Sequence, residues 1–386
     1  MRVCYFGTYD ADYVRNRVLT EGLRANGVQV VECHSRLWFD TADKVREVER
    51  GILNPRLWLR FLKAYLRLLG NYLKVGRYDV MVVGYAGHID VFLARILASL
   101  ARKPLVFDAF LSLHDTIVED RALAGRGSMI GSLAFWLEKM GCLLSDVVLL
   151  DTEAHIHHFS MKYRIPEERF RRVWVGADEK VYYPLKIPRK GPQFTVIYFG
   201  KFIPLHGVEY IVRAAKELEA YPDIRFEFIG RGQAYHQVRC LAEELHVGNI
   251  IWGPEWLEPP ELRQRIAQAD VCLGIFGTSP KAEYVIPAKA YIALAMRKPL
   301  ITRDSPAARE IFISGENALL CPAGDGRILA ECILRLRENS DLSEGIAHQG
   351  YRLFIEMLSS EAVGLQMMNI IKELTAYRKE STLGDN

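Results

Sequence analysis

The sequence predicts an α/β protein built from two doubly wound, Rossmann-like domains that face a central cleft. Short β-branched runs alternate with longer amphipathic stretches, the pattern of parallel strands covered by helices. The alternation occurs in two successive series. Between them lies Tyr183-Pro184-Leu185-Lys186-Ile187-Pro188-Arg189-Lys190-Gly191-Pro192, whose prolines and glycine sustain neither a helix nor a central strand.

In the first series the expected strands are Arg2–Phe6, Val28–Cys33, Val80–Val83, Leu105–Phe107, Val147–Leu150 and Arg172–Val175. In the second they are Thr195–Phe199, Arg225–Ile229, Ile250–Trp252, Val271–Leu273, Leu300–Thr302 and Ala318–Leu320, separated by helical stretches such as Val208–Glu219, Ala234–Leu245 and Pro260–Ala269. A chain of 386 residues suits two cores better than one. The expected division is a first domain over 1–183, a linker over 184–193, a second domain over 194–359 and a C-terminal segment over 360–386. Ser360–Tyr377 reads as a helix returning to the first domain, and Arg378–Asn386 as a frayed tail.

Half of the residues are hydrophobic and a quarter are charged, the profile of a soluble globular enzyme. A formal net charge of +3 argues against a nucleic-acid partner. The seven cysteines are scattered without a Cys-x-x-Cys pair, so buried reduced thiols are expected rather than a zinc site or disulfide framework. The chain enters a strand at Arg2 without a signal-like apolar core, and no run approaches the roughly 18–20 apolar residues that span a bilayer. The expectation is a cytoplasmic protein.

The segment richest in chemistry opens the second series. Strand Thr195–Phe199 runs into Gly200, then Lys201, Pro204, His206 and Gly207, then the helix from Val208. Glycine at a strand end permits close backbone approach, and a helix N-terminus presents N–H groups that favour anions. Lys201 adds a cation and His206 a hydrogen-bonding group, which suits a diphosphate; an ordinary βα turn is the other reading. The Gly-Lys-Ser/Thr ending of a Walker loop and the Gly-x-Gly-x-x-Gly of a dinucleotide site are both missing. Gly230, in Gly230-Arg231-Gly232, is a further candidate for close approach to a nucleotide.

Taken in order, Gly200 to Gly207, Phe228-Ile229-Gly230-Arg231-Gly232, Ala269-Asp270-Val271, Ala295-Met296-Arg297-Lys298-Pro299-Leu300-Ile301-Thr302 and Ser314-Gly315-Glu316-Asn317-Ala318 resemble the donor domain of family 4 retaining glycosyltransferases, which have the GT-B fold. Asp151-Thr152 and Val175-Gly176-Ala177-Asp178 are similar to the end of that family's first domain. The resemblance implies a nucleotide-diphosphate sugar as donor substrate, with Lys201 on its diphosphate and His206 where the family usually has a second lysine. It also implies retention at the anomeric carbon. The family's two glutamates fall on Tyr284 and Ile292, so the chain resembles a variant lacking the pair. Glu283 and Lys289, in Glu283-Tyr284-Val285-Ile286-Pro287-Ala288-Lys289, are the candidates for nucleotide or phosphate contact there. No additional cofactor is implied, and no Asp-x-Asp is placed to hold a metal between phosphates.

In the first domain the family often carries a histidine where this chain has Phe110. Asp108, His114 and His88 are the catalytic candidates nearby, each with a structural role as the alternative. Gly7 and Arg15, in the loop and helix after the first strand, are candidates to border the donor phosphate. Along residues 56–74, Arg56, Arg60, Lys63, Arg67 and Lys74 share one helical face with a broad apolar remainder. This helix reads either as a peripheral contact with the inner face of the membrane or as a solvated basic face. The expected activity is glycosyl transfer to a hydroxyl of a glycan or lipid-linked acceptor. A GT-B sugar-nucleotide epimerase and a non-catalytic sugar-nucleotide-binding module are the rivals.

Overall fold

The computed structural model describes residues 1–37, 55–120, 125, 127–187 and 191–384. Residues 188–190 of the expected linker and residues 385–386 of the expected tail lie outside them. The first sheet comprises β1 (Arg2–Gly7), β2 (Gln29–His34), β3 (Val80–Val83), β4 (Leu105–Phe110), β5 (Val147–Leu150) and β6 (Phe170–Arg172), ordered β2-β1-β3-β4-β5-β6. The second comprises β7 (Phe194–Phe199), β8 (Ile224–Ile229), β9 (Ile250–Trp252), β10 (Val271–Leu273), β11 (Leu300–Arg303) and β12 (Leu319–Cys321), ordered β12-β11-β10-β7-β8-β9. Every pairing within the two sheets is parallel.

Parallel strands are covered on both faces, which is why Val80–Val83 is apolar throughout, Phe194–Phe199 is largely so, and both are buried along their length. One expected strand differs. Arg172–Val175 is replaced by Phe170–Arg172, because the carbonyls of Val173 and Trp174 accept from the Arg15 guanidinium instead of a strand neighbour.

The helices are α1 (Val14–Ala25), α2 (Pro55–Tyr72), α3 (Asp90–Leu100), α4 (Met129–Leu144) and α5 (Glu153–Tyr163) in the first half. They continue with α6 (Val208–Glu217), α7 (Tyr235–Glu244), α8 (Pro259–Gln268), α9 (Ala288–Ala295), α10 (Gly326–Glu338), α11 (Ser340–Leu353) and α12 (Ser360–Gly384). Their ends follow local chemistry. Thr152 caps α5 by accepting from His155 N, and Asp325 caps α10 by accepting from Arg327 N and Ile328 N. The α6 stripe Val208, Ile211, Val212 and Ala215 is buried against the second sheet. Each large apolar side chain there contributes about 1.5–3 kcal/mol. In place of a frayed tail from Arg378, α12 continues to Gly384, since no proline interrupts it.

α12 packs on α1 of the first domain, where Gly22 meets Gly364. A Cβ at Gly22 would lie 2.0 Å from the Ser360 carbonyl oxygen, so the crossing admits no side chain. Upstream, Ala177 N donates to the Leu358 carbonyl, and Ser360 N donates to Glu179 Oε2 at 2.8 Å. One apolar cluster runs through this crossing, from Trp174 and Val175 to Tyr291, Phe354 and Leu358, and joins the two domains.

In each sheet the strand order reverses beside the first strand, at β1/β3 and at β7/β10. Ligands of doubly wound sheets bind outside the carboxyl ends of the strands at such points. Gly22→Val should lower stability by about 1–3 kcal/mol through overpacking at the α1–α12 crossing. Urea unfolding that leaves Gly22→Val equal to the wild type would refute that constraint.

Candidate anion site and interdomain cleft

The loops after β7, β8 and β10 press backbone against backbone. A Cβ at Gly230 would stand 1.9 Å from the Gly200 carbonyl oxygen, and one at Gly207 would stand 2.3 Å from Gly277 N. Gly207 has φ +60° and caps the N-terminus of α6 after a 3-10 turn over Pro204–His206. Gly230 therefore acts mechanically, by letting the β7 loop close over the β8 loop.

Lys289, in the first turn of α9, is buried over this loop. Its Nζ lies 3.9 Å from the Tyr198 ring centroid and 3.2 Å from His206 Nδ1. Among the described residues no carboxylate pairs with it. Burial alone holds its pKa well below the ordinary lysine value. His206 Nδ1 donates to the Lys201 carbonyl at 2.5 Å, and the Tyr198 hydroxyl donates to the same carbonyl at 2.7 Å. Burial first, then Lys289 and more weakly Lys201 and Lys281, depress the His206 pKa well below 6.5. The neutral ring thus spends its proton on the backbone, and Nε2 is left as an acceptor. Donation to a phosphate requires a second proton, which an arriving polyanion would favour. Lys201 presents its side chain on the exposed side of the loop. Lys281 is buried at the domain boundary, its Nζ donating to Thr116 Oγ1 at 3.0 Å. Sequence reasoning missed Lys281, which carries no motif of its own.

Glu283 pairs with Arg303 at 2.5 Å, and Arg303 also donates to the Gly277 carbonyl. Glu283 is half exposed and Ile292 is buried in the core.

The first-domain candidates find partners within that domain. A Cβ at Gly7 would meet Asp90 Oδ2 at 2.7 Å. The Asp90 carboxylate accepts from Thr8 N at 2.7 Å and from the Tyr65 hydroxyl at 2.6 Å. The loop that the sequence offers to a phosphate thus already holds a carboxyl group of the chain itself, whose pKa burial raises. Arg15 and Asp108 are both fully buried and form a forked pair, with Arg15 Nε 3.0 Å from Asp108 Oδ2 and Nη2 2.9 Å from Oδ1. With Nη1 on the carbonyls of Val173 and Trp174, Arg15 ties α1 to β4 and to the segment after β6. His88 Nε2 lies 3.4 Å from Oε1 of the buried Glu138. Burial alone would raise the Glu138 pKa, but His88, Tyr163 and Ser112 together hold it below the usual range. His114 Nδ1 lies 2.8 Å from Lys162 Nζ and 3.2 Å from Asp115 Oδ1, at the edge of a polar cluster that reaches the second domain.

At the centre of that cluster the Tyr284 hydroxyl donates to Asp115 Oδ2 at 2.7 Å, and its ring stacks on His158 at 4.2 Å between centroids. Thr152 Oγ1 donates to the Tyr284 carbonyl at 2.6 Å. Burial alone would raise Asp115, but His158, Lys162 and Tyr284 outweigh it and keep the carboxylate ionised. Glu310 of the second domain accepts from Glu153 N and Ala154 N at 2.8 Å each, at the positive end of α5. The sequence marks Tyr284 only as a departure from a family pattern; that it grips the other domain is a tertiary fact. Nearby, Asp151 Oδ1 and His155 Nδ1 are 2.6 Å apart. Asp151 Oδ2, His155 Nε2 and the Tyr291 hydroxyl are buried without hydrogen-bond partners among the described residues. The Asp-x-x-x-His spacing after β5 was the available signal for this pair. No group of three metal-ligating side chains gathers among the described residues.

Residues 193–339 match the family described as glycosyl transferases group 1. The chain is 23% identical over 303 residues to an alpha-D-kanosaminyltransferase of Streptomyces kanamyceticus, covering 75% of each. It is 24% identical over 203 residues to an uncharacterized glycosyltransferase of Methanocaldococcus jannaschii, covering 53% of each. Sucrose-phosphate synthase from Thermosynechococcus elongatus superposes with a TM-score of 0.72 at 15% identity, over 98% of this chain and 100% of that one. The Anabaena protein HepE, solved with UDP-glucose, does so with a TM-score of 0.66 at 15% identity, over 97% and 100%. The molecule has the GT-B fold, and most of its second domain matches the glycosyl transferases group 1 model.

The depressed pKa values of Lys289 and His206 have a measurable consequence. An anion seated beside them raises both, so binding inorganic pyrophosphate at neutral pH should take up protons, and affinity should fall as pH rises. Calorimetry in buffers of different ionisation enthalpy reads the uptake directly. Binding without uptake would place the anion elsewhere.

Proposed function

We propose that the protein transfers a glycosyl group from a nucleotide-diphosphate sugar to a hydroxyl of a glycan or lipid-linked acceptor at the cytoplasmic face of a membrane, with retention and without a metal. The observation that carries this reading is Lys289, buried over Gly200 in a glycosyl transferases group 1 domain with no carboxylate partner among the described residues. Cleavage of the donor leaves negative charge on the departing diphosphate. Lys289, Lys201 and the N–H groups that open α6 supply compensating charge and dipole, and His206 becomes a donor as it is protonated. Domain closure across the Tyr284–Asp115 contact keeps water from the donor. Retention rests on the resemblance to family 4 enzymes.

UDP is the nucleotide to try first, since HepE is solved with UDP-glucose. UDP should raise the melting temperature of the wild type, because it binds only the folded form. Lys289→Met should abolish that shift while leaving the unliganded protein at least as stable, since it removes a desolvated amine. Lys201→Ala should cut sugar transfer by about 10²–10³. Near-normal transfer by Lys201→Ala at saturating donor would remove Lys201 from the mechanism.

A second reading is favoured by Tyr284 and Ile292 at the family's glutamate positions, with Tyr284 held by Asp115. Under it the chain binds a sugar nucleotide without turnover. Wild-type protein that shifts with UDP but transfers nothing to any acceptor would select this reading. Product from donor alone would select an epimerase.

A further inference from the structure

The first sheet has two differently dressed faces. Val3 and Tyr5 of β1 point to the side covered by α1 and α12, while Cys4 and Phe6 point to the side covered by α2, α3 and α4. On that second side α3 lies between its neighbours. The hydroxyls of Tyr65 and Tyr72 on α2 donate to Asp90 and to the Leu97 carbonyl of α3, and Arg95 of α3 donates to the Leu144 carbonyl of α4.

The outward surfaces of these three helices are apolar where solvent would ordinarily demand polar residues. On α2 and just past its end, Leu59, Leu62, Leu66, Leu69 and Leu73 recur at three- and four-residue steps and are exposed, Leu73 to 85%. Ile96 and Leu100 continue the surface on α3. Met129, Leu133 and Trp136 continue it on α4, with Met129 exposed to 89%. Isolated exposed leucines are ordinary; a face shared by three adjacent helices is not.

The charge on this face has one sign. No Asp or Glu occurs from Pro55 to Arg77 or from Val91 to Lys103. In α4 the single carboxylate, Glu138, is buried beneath Ser112 and Tyr163. Lys63, Arg67, Lys74 and Arg102 are exposed among the apolar residues. Beside the C-terminal half of α2, an open recess of about 450 Å³ is lined by Arg67, Lys74 and Arg36, the last of which pairs with Asp12 at 3.4 Å.

We propose that the outer face of α2, α3 and α4 docks the protein on an anionic bilayer surface. The α2 leucine ridge and Trp136 enter the interfacial layer, Lys63 and Arg102 meet headgroups, and the recess takes one headgroup phosphate. A second protein surface would complement the apolar ridge but would need carboxylates to meet an unbroken set of cations; an anionic membrane supplies both features at once. The inference extends the single basic helix read from residues 56–74 to a three-helix face. It does not depend on glycosyl transfer.

The test is co-sedimentation of the full chain with phosphatidylcholine vesicles, with and without about one-third phosphatidylglycerol. The wild type should bind only the anionic vesicles, and less as salt rises. Lys63→Glu with Arg67→Glu, and separately Leu66→Asp with Trp136→Asp, should each weaken binding about tenfold or more. Both double variants should keep the wild-type melting temperature and its response to UDP, which separates this result from failure of the sugar-nucleotide reading. Equal binding to neutral vesicles, no binding, or full binding by Leu66→Asp with Trp136→Asp would overturn the proposal. So would a wild-type dimer that this apolar variant dissolves and that ignores vesicles.

Discussion

An amine held out of water, with no carboxylate beside it among the described residues, organises the second domain. Lys289 rests on the Tyr198 ring and beside His206, and its Nζ would be 3.2 Å from any Cβ placed on Gly200. Burying an ammonium costs several kcal/mol after relaxation. Burial accordingly pulls the Lys289 pKa well below the ordinary lysine value, and burial first, then the nearby lysines, lower that of His206. A site in that condition is short of negative charge. The backbone contacts among the β7, β8 and β10 loops hold it in shape, since glycine at Gly230 and Gly207 is what lets three chain segments meet there.

The same short stretch of chain joins that site to the first domain. Within ten residues, Lys281 donates to Thr116, Tyr284 stacks on His158 and donates to Asp115, and Lys289 lies against the β7 loop. Lys289 opens the helix that follows the turn carrying the interdomain grip. Glu310 at the start of α5 and the Gly22–Gly364 crossing brace the two domains at other points. The grip at Tyr284 is polar and the crossing at Gly22 is tightly packed, so relative movement would centre on the polar contact.

Much of the architecture was legible because parallel strands, buried on both faces, announce themselves as short apolar runs. Where an expected strand is displaced, at Val173 and Trp174, a distant arginine has taken the carbonyls that a neighbouring strand would use. Gly200, Lys201, His206 and Gly207 were legible as a group because they are contiguous. Gly7, Arg15 and Asp108 stand at strand or helix ends that look the same whether they face a ligand or a partner in the chain. Arg15 finds Asp108 across 93 positions, and Thr8 finds Asp90 across 82. No local pattern carries such pairings.

The sequence by itself determined the two doubly wound series, the break between them and the loop best suited to an anion. Each depends on periodicity or on neighbours within about ten residues, which a linear reading can see. Only the tertiary structure decided that Lys289 is buried and depressed, that His206 is neutral, that Asp90 fills the first domain's loop and that Tyr284 holds the domains together. Those properties arise from distances of a few ångströms between residues far apart in the chain, and from the loss of water around them.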